Sequence, residues 1–213
     1  MEYIDIYDEK LSMIGKVDKK EAHRTGAWHK SIHCWILRKD ETGEYIVFQK
    51  RSAQKSSFPN FLDISAAGHY QAGERLEDGV REIVEELGVN VRYNDLCYLG
   101  IKFDVYKDEK IFNREFCETF IYRDDRPLLE YPIDCNEVTG LAQIKIQDGL
   151  DLFSGKKDYI YADGVEYSEE KEVIEEISLR VNKDMFISRI DPYYGKIFMI
   201  AKAYFAGEKE LFI

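Results

Sequence analysis

Only four prolines occur in 213 residues, and no Pro-rich, low-complexity or basic tract interrupts the chain. A flexible interdomain linker is therefore not expected. No apolar run approaches the roughly 20 residues that cross a bilayer, and the opening MEYIDIYDEK has neither the basic nor the apolar region of a secretory signal. The expectation is a cytoplasmic chain with no membrane partner. Cys34, Cys97, Cys117 and Cys135 stand far apart, without CxxC or CxxH spacing, which argues for free thiols over a zinc site or a redox pair. Positive charge is in deficit: 30 Lys and Arg against 41 Asp and Glu leave a net charge of -11. That balance opposes attraction to nucleic acid. A polyanionic ligand would need a metal ion or a local basic patch.

What is present is a globular composition, 45% hydrophobic and 14% aromatic, at a length that suits one domain. The pattern reads as α/β. A hairpin is expected over YIDIYDEKLSMIGKV with DEK as its turn, then strands at Ile32 to Leu37 and Tyr45 to Gln49 around the turn-forming RKDETGE. DIS at 63 to 65, Tyr98 to Phe103 and Arg114 to Tyr122 are further strand candidates, and Glu172 to Val181 fits strand or helix. A short helix is expected over IQDGLDLFSG, with Gly155 at its end. Another should begin with Asp191 as cap and Pro192 in its first turn, burying Ile197, Ile200, Ala201, Tyr204 and Phe205 and stopping at Gly207.

The stretch GHYQAGERLEDGVREIVEELGV, residues 68 to 89, crowds Glu74, Glu77, Asp78, Glu82, Glu85 and Glu86 together. At about 100° per residue, Leu76, Val80, Ile83, Val84 and Leu87 share one side, while Glu82, Glu85 and Glu86 share the other. Arg81 flanks them and can pair with Glu77 or Glu85 across one turn. Gly88 ends the helix. Most charge runs on helices are solvated faces, yet like charges one turn apart repel, and Lys would have stabilised the same surface better. The other reading is a site for a hard divalent cation, which takes carboxylate oxygens and substrate phosphates. The helical pattern alone does not choose between them.

The full pattern does. Gly68, Glu74, Arg81, Glu82, Ile83, Glu85, Glu86 and Gly88 resemble the signature of the Nudix hydrolases. The spacer of six residues between Glu74 and Arg81 is one shorter than in that family, which puts the role of Glu74 in question and makes Glu77 an alternative partner for Arg81. The resemblance implies an α/β/α sandwich around a mixed sheet, and water attack on a diphosphate bond assisted by Mg²⁺ or Mn²⁺. By position it implies Glu82, Glu85 and Glu86 as metal ligands, with the Gly68 main-chain carbonyl in support. Arg81, Glu85 and Glu115 would be the catalytic residues. The chain then divides into an N-terminal hairpin extension (1 to 30), a core (31 to 164) and a C-terminal extension ending in a helix (165 to 213), all one domain.

Over residues 20 to 150 the chain is also similar to the isopentenyl diphosphate isomerase branch, through HRTGAWHKSIHCWIL, YIVFQKRS, FPNFLDISAAGH and NREFCETFIY. Where that enzyme has a catalytic Cys before Gly-His, this chain has Ala67, which disfavours isomerisation. The likeness implies an extra metal near His23, His29, His69 and Glu115; His33 reads better as a core histidine. Alternation along Arg114 to Tyr122 means Glu115 and Glu118 cannot face one site, and family position favours Glu115, as a further metal ligand. Arg51 and His69 are expected to contact substrate. The expected activity is hydrolysis of a small organic diphosphate, such as a nucleoside diphosphate derivative. An isomerase and a nucleotide-sensing module without catalysis are the alternatives. A homodimer is the default assembly.

Overall fold

Strand β3 (Trp28–Asp40) is the spine of the molecule. Its apolar run is buried on both faces, which is why it reads as continuous and not alternating. The computed structural model describes residues 2–55, 57–109 and 111–213. The expected hairpin is there: β1 (Tyr3–Tyr7) and β2 (Met13–Asp18) pair antiparallel, with β1 laid against the start of β3. Helix α1 (Lys19–Thr25) then leads into β3.

Strand β4 (Gly43–Arg51) returns antiparallel to β3 after a tight turn in which the Asp40 carboxylate accepts from the Thr42 N–H at 2.8 Å. Past Ile36 the two strands part. There β5 (Leu62–Asp63) joins β4, and β6 (Ala66–His69) joins β3 in its place. Ser65 bridges the fork: its hydroxyl accepts from the Ile36 N–H at 2.8 Å and donates to the Val47 carbonyl. On the other edge of β3 runs β8 (Phe112–Arg123), parallel to it, with β7 (Cys97–Lys107) antiparallel beyond. Strands β9 (Val138–Lys145), β10 (Ile160–Ser168) and β11 (Val173–Val181) extend the sheet from β4. The ambiguous segment from Glu172 is thus a strand, and β10 runs through residue 165 into the main sheet.

Alternation sorts the core into two layers. Trp35, Leu37, Ile46, Phe48 and Ile144 meet helices α3 (Ile146–Phe153) and α4 (Tyr193–Phe205) on one face. Cys34, Ile36, Val47, Phe120 and Leu141 meet α2 (Val80–Leu87) on the other. This is the α/β/α sandwich with a mixed sheet. Cys34 and Cys117 are buried and Cys97 and Cys135 half-buried, all as free thiols.

Helix α4 departs from its expected start. Pro192 occupies the cap position without a side-chain cap, and the Asp191 carboxylate turns to Lys196 at 3.0 Å. Tyr193, Tyr194 and Phe198 join Ile197 and Ala201 in the buried stripe, whereas Ile200, Tyr204 and Phe205 are only partly covered. Tyr193 fixes the helix through a buried network. Trp35 Nε1 donates to its hydroxyl at 2.9 Å, and His33 Nδ1 lies 3.0 Å from the same oxygen. Indole can only donate, so the Tyr193 hydrogen goes to His33, which is the satisfied core histidine expected. Tyr193→Phe should cost about 2 kcal/mol by stranding two buried groups, a fall in Tm of roughly 4–8 °C by calorimetry.

Candidate active site

The fork between β4 and β6 opens a cleft lined by Arg51, Asp63, Gly68, His69, Glu115 and Arg189 among others. On the other side of Ala67 and Gly68 lies helix α2. Glu82 rests directly over Gly68: a Cβ on that glycine would come within 2.1 Å of the Glu82 carboxyl carbon. Glu86, one turn on, accepts from the Ala67 N–H at 2.9 Å and from Gln49 Nε2 at 3.2 Å. Gly68→Ala should therefore displace Glu82 while leaving the fold intact. The expected loss is about 10²-fold in kcat/KM, the scale of an ångström misplacement, with the melting curve as control.

Two expectations for this helix need correction. Glu86 is not on a solvated side; it is 5% exposed, beside buried Ile83 and Leu87, whereas Val84, expected inside, is 42% exposed. The cause is local. Residues Leu76–Gly79 wind as a 3-10 turn, so only Val80–Leu87 follow the 100° register, and the eight-residue α-helix seats a narrower stripe. Second, Arg81 pairs with Glu74 at 2.9 Å, Glu82 at 2.9 Å and Glu85 at 2.8 Å, not with Glu77, which approaches Arg75 at 4.0 Å. A 3-10 turn rises faster per residue than an α-helix. It lets Glu74 reach Arg81 across the shortened spacer. Gly88 closes the helix at φ 62°, packed so closely on Pro132 that a Cβ would meet its ring at 2.3 Å.

Burial without a cation dominates the electrostatics of Glu86. Among the described residues no Lys, Arg or His stands within ion-pair distance of it, and burial pushes its carboxyl up to about 7. Glu82 is shifted upward too, by burial first, against the pull of Arg81. Glu85, by contrast, is an exposed rim group held by Arg81. The three glutamates therefore do not converge: Glu82 and Glu86 turn to the β6 backbone, and Glu85 turns away from it.

A second set of ligand atoms does converge. His23 from α1, His29 from β3 and His69 from β6 bring ring nitrogens within 4.8 Å of one another, with ring centroids 5.0–5.2 Å apart. Glu115 Oε1 lies 3.4 Å from His69 Nε2 and 3.9 Å from His29 Nε2. All three Nε2 atoms are buried without a hydrogen-bond partner. His29 Nδ1 is 2.9 Å from the Ala27 carbonyl, which can only accept, so the proton sits there and Nε2 presents a lone pair. Burial lowers His23 and His29 to about 4, which keeps both neutral. Lone pairs facing a carboxylate, with no donor between them, fit a divalent cation that accepts imidazole. Burial would raise Glu115, but its contact with His69 and the fields of His29 and His33 outweigh that and hold it well below the usual range. Ser31 donates to it at 2.6 Å, and Asn113 also bonds it. Glu118 takes the opposite face, with Lys30 at 3.1 Å and Tyr98 at 2.7 Å.

Arg51 reaches the cleft and pairs with Asp63 at 3.2 Å. Sequence reasoning missed its counterpart, Arg189 from the C-terminal segment, which bonds Asp63 at 2.9 Å and also Asp104. In both arginines Nε is buried without a partner. Lys102 adds to the network, 3.0 Å from Asp104. A signal was present in IKFDVY: Lys102 and Asp104 are buried at alternate positions while Phe103 between them is 57% exposed, the inverse of an ordinary strand.

With this geometry in place, comparison with known proteins is decisive for the family. The NUDIX domain model matches residues 27–148. A Nudix hydrolase of Clostridium acetobutylicum is 36% identical over 193 residues, 91% of this chain and 93% of the relative. The isopentenyl-diphosphate Delta-isomerase of Brevibacterium linens is more distant, 26% identical over 71% of this chain and 82% of its own. Among solved structures, DR0079 from Deinococcus radiodurans shares the fold, with TM-score 0.54 at 22% identity over 73% of this chain and 91% of that one. The chain belongs to the Nudix family and is an enzyme of the Nudix hydrolase type, a pyrophosphohydrolase. Members of this family are typically divalent-metal-dependent diphosphate hydrolases. Among the described residues no helix is long and apolar enough to cross a membrane.

Proposed function

We propose that the chain hydrolyses a small organic diphosphate, a nucleoside diphosphate derivative or a relative of one, with Mg²⁺ or Mn²⁺ held by Glu82 and Glu86 beside Gly68. The observation that carries this reading is Glu86, a buried carboxylate next to a second carboxylate, with no protein cation to balance it. The donors are hard oxygens, which fits either ion. When bound, a divalent cation supplies charge neutralisation for the diphosphate and acidity for an attacking water. His23, His29, His69 and Glu115 would hold a second cation of the kind that accepts imidazole.

The side chains divide the remaining work. Arg81 positions: it clamps Glu74, Glu82 and Glu85 and touches the His69 carbonyl at 3.3 Å. Arg51 and Arg189 each offer an unpartnered Nε to phosphate oxygens. Glu115 is held too acidic to be a strong base and suits ligation; Glu85, mobile at the rim, is the proton acceptor. His69 bridges the two halves as the residue after Gly68. The whole chain works as one domain in the cytoplasm, on a small-molecule substrate and with no nucleic acid or membrane partner.

Ala67 argues against isomerisation: its N–H serves Glu86, and its methyl group moves no proton. A panel of nucleotide sugars, dinucleoside polyphosphates, nucleoside triphosphates, NADH and coenzyme A with Mg²⁺ or Mn²⁺ tests the proposal. Phosphate or nucleoside monophosphate should be released. Isomerised isopentenyl diphosphate without hydrolysis would overturn it, and so would tight nucleotide binding with no turnover.

A further inference from the structure

The cleft does not end at the arginines. Phe58, Tyr106, Ile187, Ser188 and Arg189 line it and also line a neighbouring groove of about 680 Å³, so the two spaces share a wall. That volume lies within the range of small-molecule sites. Its far side is built by residues near the start of α4, including Pro192 and Tyr194, and by Phe61.

Two features set this groove apart from an ordinary surface depression. The first is a set of half-buried rings. Phe58 and Tyr106 meet at 5.0 Å with planes 74° apart, and Phe58 and Phe61 meet at 5.8 Å and 73°. In such T-shaped pairs the ring presenting its edge keeps both faces clear of the other. The second is backbone conformation: Phe58 sits at φ 50°, a region that a bulky L-residue rarely occupies. Strain of that kind marks positions where a side chain is held for use. Here it aims a phenyl ring at the junction of cleft and groove, next to the arginine from the C-terminal segment.

We propose that this groove is the subsite for the group joined to the diphosphate, and that it takes a planar heteroaromatic ring such as a nucleobase. The proposal rests on the hydrolase reading above and deepens it. Arg189 at the shared wall holds phosphate oxygens, and the aromatic wall beyond it stacks the ring. Ser188 and Asp184 offer hydrogen-bond partners to polar ring edges, groups that a plain alkyl chain would leave unpaired. The C-terminal extension thereby selects the substrate, while the shared Nudix core provides the reaction.

Calorimetry on the full chain with Mg²⁺ separates the possibilities. The probes are methylenediphosphonate, adenosine and cytidine α,β-methylene diphosphates, and a decyl methylenediphosphonate. A nucleoside probe should bind at least tenfold more tightly than methylenediphosphonate, the scale of one base stacked on an aromatic side chain. Tyr106→Leu and Phe58→Asn should each remove most of that advantage without changing methylenediphosphonate binding; Asn suits the left-handed backbone and so protects the fold. The proposal fails if the decyl probe binds as well as the nucleosides, or if the ring advantage survives both substitutions. A failure of the hydrolase reading looks different: Mg²⁺ then adds nothing to methylenediphosphonate binding. In that case the nucleoside probes must still bind more tightly than the bare diphosphonate, or the groove proposal falls too.

Discussion

Glu86→Gln is expected to produce a protein that is more stable without metal and nearly inactive with it. The stability half follows from linkage. A carboxyl raised to about 7 by burial favours the folded state while protonated, and that contribution is lost as pH rises from the unfolded value near 4.4 through 7. At pH 8 the loss is complete, about 3 kcal/mol from the size of the shift. The introduced amide carries no charge, keeps an acceptor for the Ala67 N–H, and gives the orphaned Gln49 Oε1 a donor after an amide flip. Metal-free Tm at pH 8 should therefore rise. The activity half follows from the same charge. A divalent cation that loses one of two buried carboxylates forfeits several kcal/mol of transition-state stabilisation, and kcat/KM should fall roughly 10³-fold. Glu85→Gln should differ, lowering kcat while metal affinity holds. Equal stability and activity of Glu86→Gln and the unaltered chain would be incompatible with a cation at this carboxylate.

Acid should unfold the metal-free protein early. His29 is lowered to about 4 and His33 to about 3, both by burial. In the unfolded chain they titrate near 6.5, so between pH 6.5 and 4 unfolding takes up protons and stability drops as pH falls. Glu86 opposes them over the same window, since the folded state binds its proton and the unfolded state does not. Two protons taken up against somewhat less than one released leave about one net, and His23, lowered to about 4 but less buried, adds up to one more. The slope near pH 5 is then ~1.4–2.7 kcal/mol per pH unit. Against a typical total of 5–15 kcal/mol, unfolding should be complete near pH 4. Denaturant titrations at pH 7, 6, 5 and 4 read the slope directly. His33→Gln should flatten it, whereas Glu86→Gln should steepen it. A pH-independent midpoint between 7 and 5 would mean that these imidazoles are not buried and neutral.

The parts of this molecule written in local pattern were legible. Period two along β8 set Glu115 and Glu118 on opposite faces, and the hairpin announced itself through its turn residues. The glutamate helix was legible in identity and not in orientation. A 3-10 turn resets the angular register before Val80, so a wheel drawn from Leu76 onward puts Val84 inside and Glu86 out. That same turn rescued the Glu74 to Arg81 pair, which residue counting alone had put in doubt. Long-range pairings left no local trace. Arg189 meets Asp63 across 126 residues, and Tyr193 meets His33 across 160. Nothing in the spacing of Asp191, Pro192 and Tyr193 foretells that the carboxylate prefers Lys196 to the helix end.

The most direct test is anomalous diffraction from crystals of the full chain grown with Mn²⁺ and methylenediphosphonate. The expected result is a peak bridging the Glu82 and Glu86 carboxylates beside Gly68, with diphosphonate oxygens reaching Arg51 and Arg189. A peak confined to His23, His29 and His69, with Glu86 still bonded only to Ala67 and Gln49, would contradict a catalytic cation on helix α2.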